Sequence, residues 1–316
     1  MSLPALLELL VSPFTHGFML KAFGVGALVA AVCGLLSCFL VLRGWSLMGD
    51  AISHAVLPGI VLSYIVGLPL VVGAFASGLL CATGTGWIKR RTRVKEDTVM
   101  GVVFTGLFAL GLILHVKTPS ALHLDHILFG NLLGIEPEHL LQTVWLSVIV
   151  FVVVVALRRT LLLAAFDAGH ARVIGFRIRW LDTLLLVLLA LAIVAALQAV
   201  GIILVIAMLI TPGATAFLLT RSFERMLLIA VAVAIASTVT GVYISFFADA
   251  DTAACIVLVQ AFAFVLAFLF APRTGLLRHP RPTPPPPDTP ATSTPPPPST
   301  PPPSTPPTST QSTSVV

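Results

Sequence analysis

Two residues in the string Gly49-Asp50-Ala51-Ile52-Ser53-His54-Ala55 can do chemistry together: a carboxylate at position 50 and an imidazole at position 54. Four positions apart, they share one face of a helix, one turn from each other. The string opens an apolar stretch that runs on to Val66. A central Asp in a membrane costs roughly 2.5 to 3.5 kcal/mol on insertion scales, so an ionisable pair there marks a functional site by default. A hard carboxylate oxygen beside a borderline imidazole nitrogen suits a divalent transition metal, and accepts manganese, iron or zinc with little selection among them. Two ligands from one helix bind weakly, whereas two copies of the chain about a central axis would offer four. That suits a transit site, which must admit an ion and also release it. Spacing alone equally allows Asp50 to cap the helix and His54 to make a packing hydrogen bond. One turn on, Pro58 and Gly59 either bend a pathway-lining helix or shape its packing.

The elements that position such a pair are membrane spans. Hydrophobic residues make up 57% of the 316 residues and charged residues 10%, with a mean hydropathy of +1.04. That leaves too little polar surface for a soluble globule. Apolar runs of about 17 to 25 residues, the length that crosses a bilayer, fall at residues 18–42, 46–66, 68–88, 98–116, 140–157, 181–197, 199–219, 226–247 and 252–271. The weakest division is between the sixth and seventh, where only Gln198 and Gly201 interrupt one long run; eight long helices are the alternative.

The basic residues favour nine spans, because cytoplasmic loops hold the excess of Lys and Arg. With the N-terminus outside, the inner connections receive Arg43, then Lys89, Arg90, Arg91, Arg93 and Lys95, then the arginines from Arg158 to Arg179, then Arg221 and Arg225. Arg273, Arg278 and Arg281 follow on the same side, leaving Lys21 and Lys117 opposite. The net charge of +5 is this orientation signal, and nucleic-acid binding is not expected. The first residues lack a basic leader and the first apolar span is too long for a cleaved signal, so this span is expected to stay in the membrane. Cys33, Cys38, Cys81 and Cys255 have no metal-type spacing and read as packing residues. Residues 279–316, rich in Pro, Thr and Ser, read as a disordered cytoplasmic tail.

Taken in order, the chain resembles the integral-membrane permease subunits of ATP-driven manganese, zinc and iron importers, the metal-ion group of ABC transporters. The matching strings are Gly49 to Gly59, then Glu96-Asp97 leading into Val99-Met100-Gly101, then Leu128-Phe129-Gly130-Asn131-Leu132-Leu133. Phe166-Asp167 with Ala171 and Gly175 follows, and then Gly201-Ile202-Ile203-Leu204-Val205 and Thr211-Pro212-Gly213-Ala214-Thr215-Ala216. The resemblance covers roughly residues 18–276.

It implies an all-α polytopic protein of the bacterial cell membrane, with about nine transmembrane helices, the fold of a type II ABC importer permease, the N-terminus outside and the C-terminus inside. Residues 1–17 would be a short external segment, 18–278 the permease domain and 279–316 the tail. The implied partners are a second permease copy, two cytoplasmic ATP-binding cassette subunits, an external solute-binding protein and the surrounding lipid. The chain carries no Gly-x-x-x-x-Gly-Lys-Ser/Thr loop, so it is expected to be no enzyme, with ATP hydrolysis on another chain. No cofactor is expected; the metal is cargo. The resemblance makes Asp50 and His54 the metal ligands. It places a coupling helix for the ATPase in residues 158–180, through Phe166, Asp167, Ala171 and Gly175, with Ala171 and Gly175 as a small-residue face. The longest external connection, with His123, Asp125 and His126, and the acidic pair Asp249 and Asp251, are candidates for docking the binding protein or gating the pore. A permease for haem, an iron chelate or a vitamin would lack the ligand pair. A self-sufficient secondary transporter would show inverted repeats, and none is convincing here.

Overall fold

The structure, a computed structural model, describes residues 12, 15–118, 130, 132–134, 137–166, 168–175 and 177–271. All belong to the unit Met1–Arg278. The described helices are α1 (Gly17–Arg43), α2 (Met48–Val66), α3 (Leu70–Arg91), α4 (Glu96–Lys117), α5 (Pro137–Phe166), the six-residue α6 (Ala168–Val173), α7 (Ile178–Leu219), α8 (Phe223–Ala248) and α9 (Thr252–Phe270), with a 3₁₀ turn at Leu132–Gly134. Eight of them, all but α6, are long and apolar enough to cross a membrane. Hydrogen-bonding every backbone group within its own segment is what makes helices the solution in hydrocarbon.

α7 is 42 residues long, about 63 Å if straight and twice a hydrocarbon core. It is not straight: Gly201 has φ 75° and ψ 170°, a combination open essentially to glycine alone. Contacts with α1 show how far the chain turns there. Asp182, near the start of α7, pairs with Arg43, and the Gly213 N–H, near its end, donates to Ser37 Oγ at 2.6 Å. Ser37 and Arg43 lie about 9 Å apart on α1, whereas a straight helix would separate Asp182 from Gly213 by about 46 Å. The two arms of α7 therefore run back along each other, and the apolar crossings number nine among the described residues, with the division at Gly201. A Cβ on Gly130 would strike the backbone of Val200 and Gly201, so the glycine of the Leu-Phe-Gly-Asn string seats against this reversal.

Close approaches fix the position of α2. A Cβ on Gly59 would run into the Gly73 carbonyl, and one on Gly73 into that of Gly59, so α2 and α3 cross backbone to backbone. Ser77 Oγ donates to the Ala55 carbonyl across the same crossing. On the α4 side, a Cβ on Gly111 would sit 2.8 Å from Pro58 N. Pro58 thus supplies packing, and it also removes the hydrogen bond that would run back to the His54 carbonyl.

One expected boundary moves. The fifth span, expected to end at 157 with a cytoplasmic stretch beginning at Arg158, continues as helix to Phe166. Leu161 and Ala164 are buried and keep the apolar face going, while Arg158 pairs with Glu224 of α8 at 3.6 Å. Cys33, Cys38 and Cys81 are buried free thiols and Cys255 is half-buried.

Candidate metal-transit site

α2 begins at Met48, with Leu47 before it making no side-chain cap, and Asp50 in its first turn. The capping alternative for Asp50 is therefore not what is seen, although its charge is well placed against the helix dipole. One turn later, His54 Nε2 stands 3.3 Å from Asp50 Oδ1, with the two side chains 29% and 31% exposed. Two ligands about 2.1 Å from a shared ion stand about 3.3 Å apart when the angle at the ion is about 105°. The spacing is compatible with two ligands of one tetrahedral or distorted octahedral cation, and equally with an i, i+4 ion pair. Between them Ser53 points inward, fully buried, its Oγ donating to the Gly49 carbonyl at 2.7 Å.

The imidazole is braced from α4. Phe104 lies nearly parallel to it, with ring centroids 5.9 Å apart and planes at 26°. Phe108, one turn on, meets it edge-on at 5.3 Å and 78°. His54 Nδ1 is buried with no hydrogen-bond partner among the described residues. No group of three or more His, Cys, Asp or Glu side chains capable of holding a metal occurs among the described residues. The described residues of one chain thus offer two candidate ligands, fewer than a cation's usual coordination number.

The other residues singled out by the sequence do not join this pair. Asp167, His123, Asp125 and His126 lie outside the described residues. Phe166 ends α5 and is 67% exposed. Together with Phe217, Phe223, Arg221 and Arg225 it lines a groove of about 660 Å³ where α7 gives way to α8. The small-residue face expected from Ala171 and Gly175 is not formed. Ala171 lies in α6 and is fully buried, while Gly175 lies beyond the helix with φ 94°, its N–H donating to the Arg172 carbonyl at 3.0 Å. α6 is too short to carry both positions on one face, and Gly175 instead makes the turn out of it. Asp249, with φ 48°, ends α8, and Asp251 caps α9, accepting from the Ala254 N–H at 2.8 Å. Both stay exposed, but each has a local structural task.

Two features of the site were not read from the sequence. The Phe104 and Phe108 brace could have been found from their i, i+4 spacing on a neighbouring span. The Arg43 guanidinium, 8% exposed, pairs with Asp182 and stacks over Trp45 at 5.1 Å, just ahead of α2. No local pattern announces that contact, because its partners are 139 positions apart.

Comparison with known proteins identifies the family of the chain. The chain is similar to the chelated iron transport system membrane protein YfeD of Yersinia pestis, 53% identical over 265 residues, covering 84% of this chain and 89% of that one. It is also similar to the manganese transport system membrane protein MntB of Synechocystis sp., 48% identical over 268 residues, covering 85% and 88%. Among solved structures, PsaBC from Streptococcus pneumoniae in complex with Fab superposes with a TM-score of 0.77 at 37% identity, covering 84% of this chain and 96% of that one. The profile of the ABC 3 transport family matches residues 15–271, and the chain is a multi-pass membrane protein belonging to that family.

Proposed function

We propose that this chain is the permease subunit of an ATP-driven importer of divalent transition metal ions, with manganese the first candidate and iron or zinc next. The observation that carries this reading is the Asp50–His54 pair, 3.3 Å apart and partly open on α2. The relatives named for manganese and iron transport support it. ATP hydrolysis belongs to separate cytoplasmic subunits, and an external solute-binding protein delivers the ion. A second permease copy opposite the first supplies the remaining ligands. Asp50 contributes the charge that draws the cation in, and His54 contributes the nitrogen that favours a transition metal over magnesium or calcium. The groove bearing Phe166, Arg221 and Arg225, with the short α6 beside it in sequence, is the surface through which the ATPase moves the helices.

Uptake by cells expressing the whole importer, under separate manganese, iron and zinc limitation, tests the reading. Uptake of one metal should collapse with His54→Ala at normal expression and ATPase assembly. Unchanged uptake of all three would remove the site. A second reading, a chelated metal as cargo, draws on the name of the Yersinia relative; uptake of the chelate in preference to the free ion would favour it.

A further inference from the structure

A histidine that ligates a cation through Nε2 carries its remaining ring proton on Nδ1. Metal-binding histidines nearly always donate that N–H to a carboxylate, carbonyl or water, which raises their basicity and fixes the ring. His54 departs from this pattern. Its Nε2 faces Asp50, its Nδ1 is buried without a partner among the described residues, and the side chains packed on the ring are Phe104 and Phe108. Among the described residues, the ring is held by aromatic packing and by no outer hydrogen bond. Orientation and ligand strength, normally supplied by one partner, are thereby separated.

We infer that Phe104 and Phe108 are affinity-setting residues, holding His54 in ligating position while denying Nδ1 the acceptor that would make the site bind tightly. This rests on the reading of Asp50 and His54 as cargo ligands, and it says why that site releases what it binds. With the ion on Nε2, the ring proton must sit on the buried Nδ1, without an acceptor among the described residues. Once the ion leaves, the proton can sit on Nε2 and donate to Asp50, leaving Nδ1 as an unpaired acceptor in place of an unpaired donor. Outer hydrogen-bond partners are worth roughly ten- to hundredfold in metal affinity, so supplying one should slow transit by trapping the ion.

The test uses the assembled permease–ATPase complex with Co²⁺ as probe, titrated at its visible d–d bands, together with the maximal rate of manganese uptake in cells. Phe108→Gln, which places an amide carbonyl beside the ring, should bind Co²⁺ roughly tenfold more tightly with the d–d bands unmoved, and should transport more slowly. Phe104→Gln is the second variant should the first fail to assemble. Phe108→Leu, apolar and without an acceptor, should not tighten binding. Equal affinities for the Gln and Leu variants, with wild-type binding still lost in His54→Ala, would overturn the inference and leave the site standing. Shifted d–d bands in Phe108→Gln would mean that the amide itself ligates, and would overturn it too. Wild-type binding that survives His54→Ala would remove the site reading and this inference together.

Discussion

Two acid–base pairs lie at neighbouring points of this bundle and differ in the burial of the base, in the sequence distance they span and in what packs on them. Arg43 and Asp182 join the end of α1 to the start of α7, and the guanidinium is nearly buried and stacked on Trp45. Asp50 and His54 join consecutive turns of one helix and are each about one third open. The first pair ties distant parts of the fold together through a cation that is nearly buried, although its carboxylate is as open as the members of the second pair. The second lies along one helix and is partly open, its imidazole held by rings that make no hydrogen bond to it. Burial with a long-range partner marks a pair that shapes the protein. Partial exposure with a local partner and an apolar brace is what the proposed cargo role of the second pair requires.

The largest effect should come from the ligand pair itself. Asp50→Asn or His54→Ala is expected to cut metal uptake by more than about a hundredfold, beyond the cost of losing an outer partner alone, with unchanged assembly in a pull-down of the ATPase. Retained uptake would erase the distinction between the pairs. Next comes Arg43→Met, which leaves Asp182 without its cation. Breaking a buried pair costs about 3 to 5 kcal/mol, and the exposure of Asp182 lowers the expectation to about 1 to 3 kcal/mol. The loss should appear in thermal unfolding in detergent, and an unshifted melting curve would show that Arg43 is not structural. Gly59→Ala, forced against the Gly73 carbonyl, should cost about 1 to 3 kcal/mol through overpacking. It should also weaken uptake by displacing α2; a variant with wild-type stability would refute the backbone crossing.

Smaller effects sharpen the picture at the ATPase end. Replacing Gly175 by a bulky residue strains a turn at φ 94°, by roughly 1 kcal/mol. It should raise ATP hydrolysis per metal ion delivered; an unchanged ratio would dissociate this turn from coupling. Smallest of all, Glu224→Gln should change stability by less than about 1 kcal/mol, because the Arg158–Glu224 pair is mostly exposed at 39% and 59%. A larger loss would mean that this pair too shapes the fold.

Much of this was legible because its causes are local. Apolar runs of bilayer length match eight of the helices, and Gly201, with Gln198, was visible as the break near the middle of a run too long for one crossing. Asp50 and His54 were legible because i, i+4 spacing converts directly into a shared helix face. The rest depends on what meets across the bundle. Arg43 reads in the sequence as one more inner-loop charge, and only the folded chain brings Asp182 to it. Phe104 and Phe108 resemble any lipid-facing aromatics until α4 lays them on His54. The coupling segment misled for a related reason: Ala171 and Gly175 have helical spacing, but the helix stops at Val173 and the glycine supplies its exit turn. Leu161 and Ala164 likewise extend α5 past Arg158 because their burial outweighs the polarity of two arginines.

The most direct test of the contrast between the pairs is metal uptake by His54→Ala and Arg43→Met importers in the same cells, each normalised to the amount of folded permease in the membrane. The expected result is loss of uptake per molecule in His54→Ala at normal abundance, and reduced abundance with near-normal uptake per molecule in Arg43→Met. Full uptake per molecule in His54→Ala, with loss confined to Arg43→Met, would contradict it and move the cargo site away from α2.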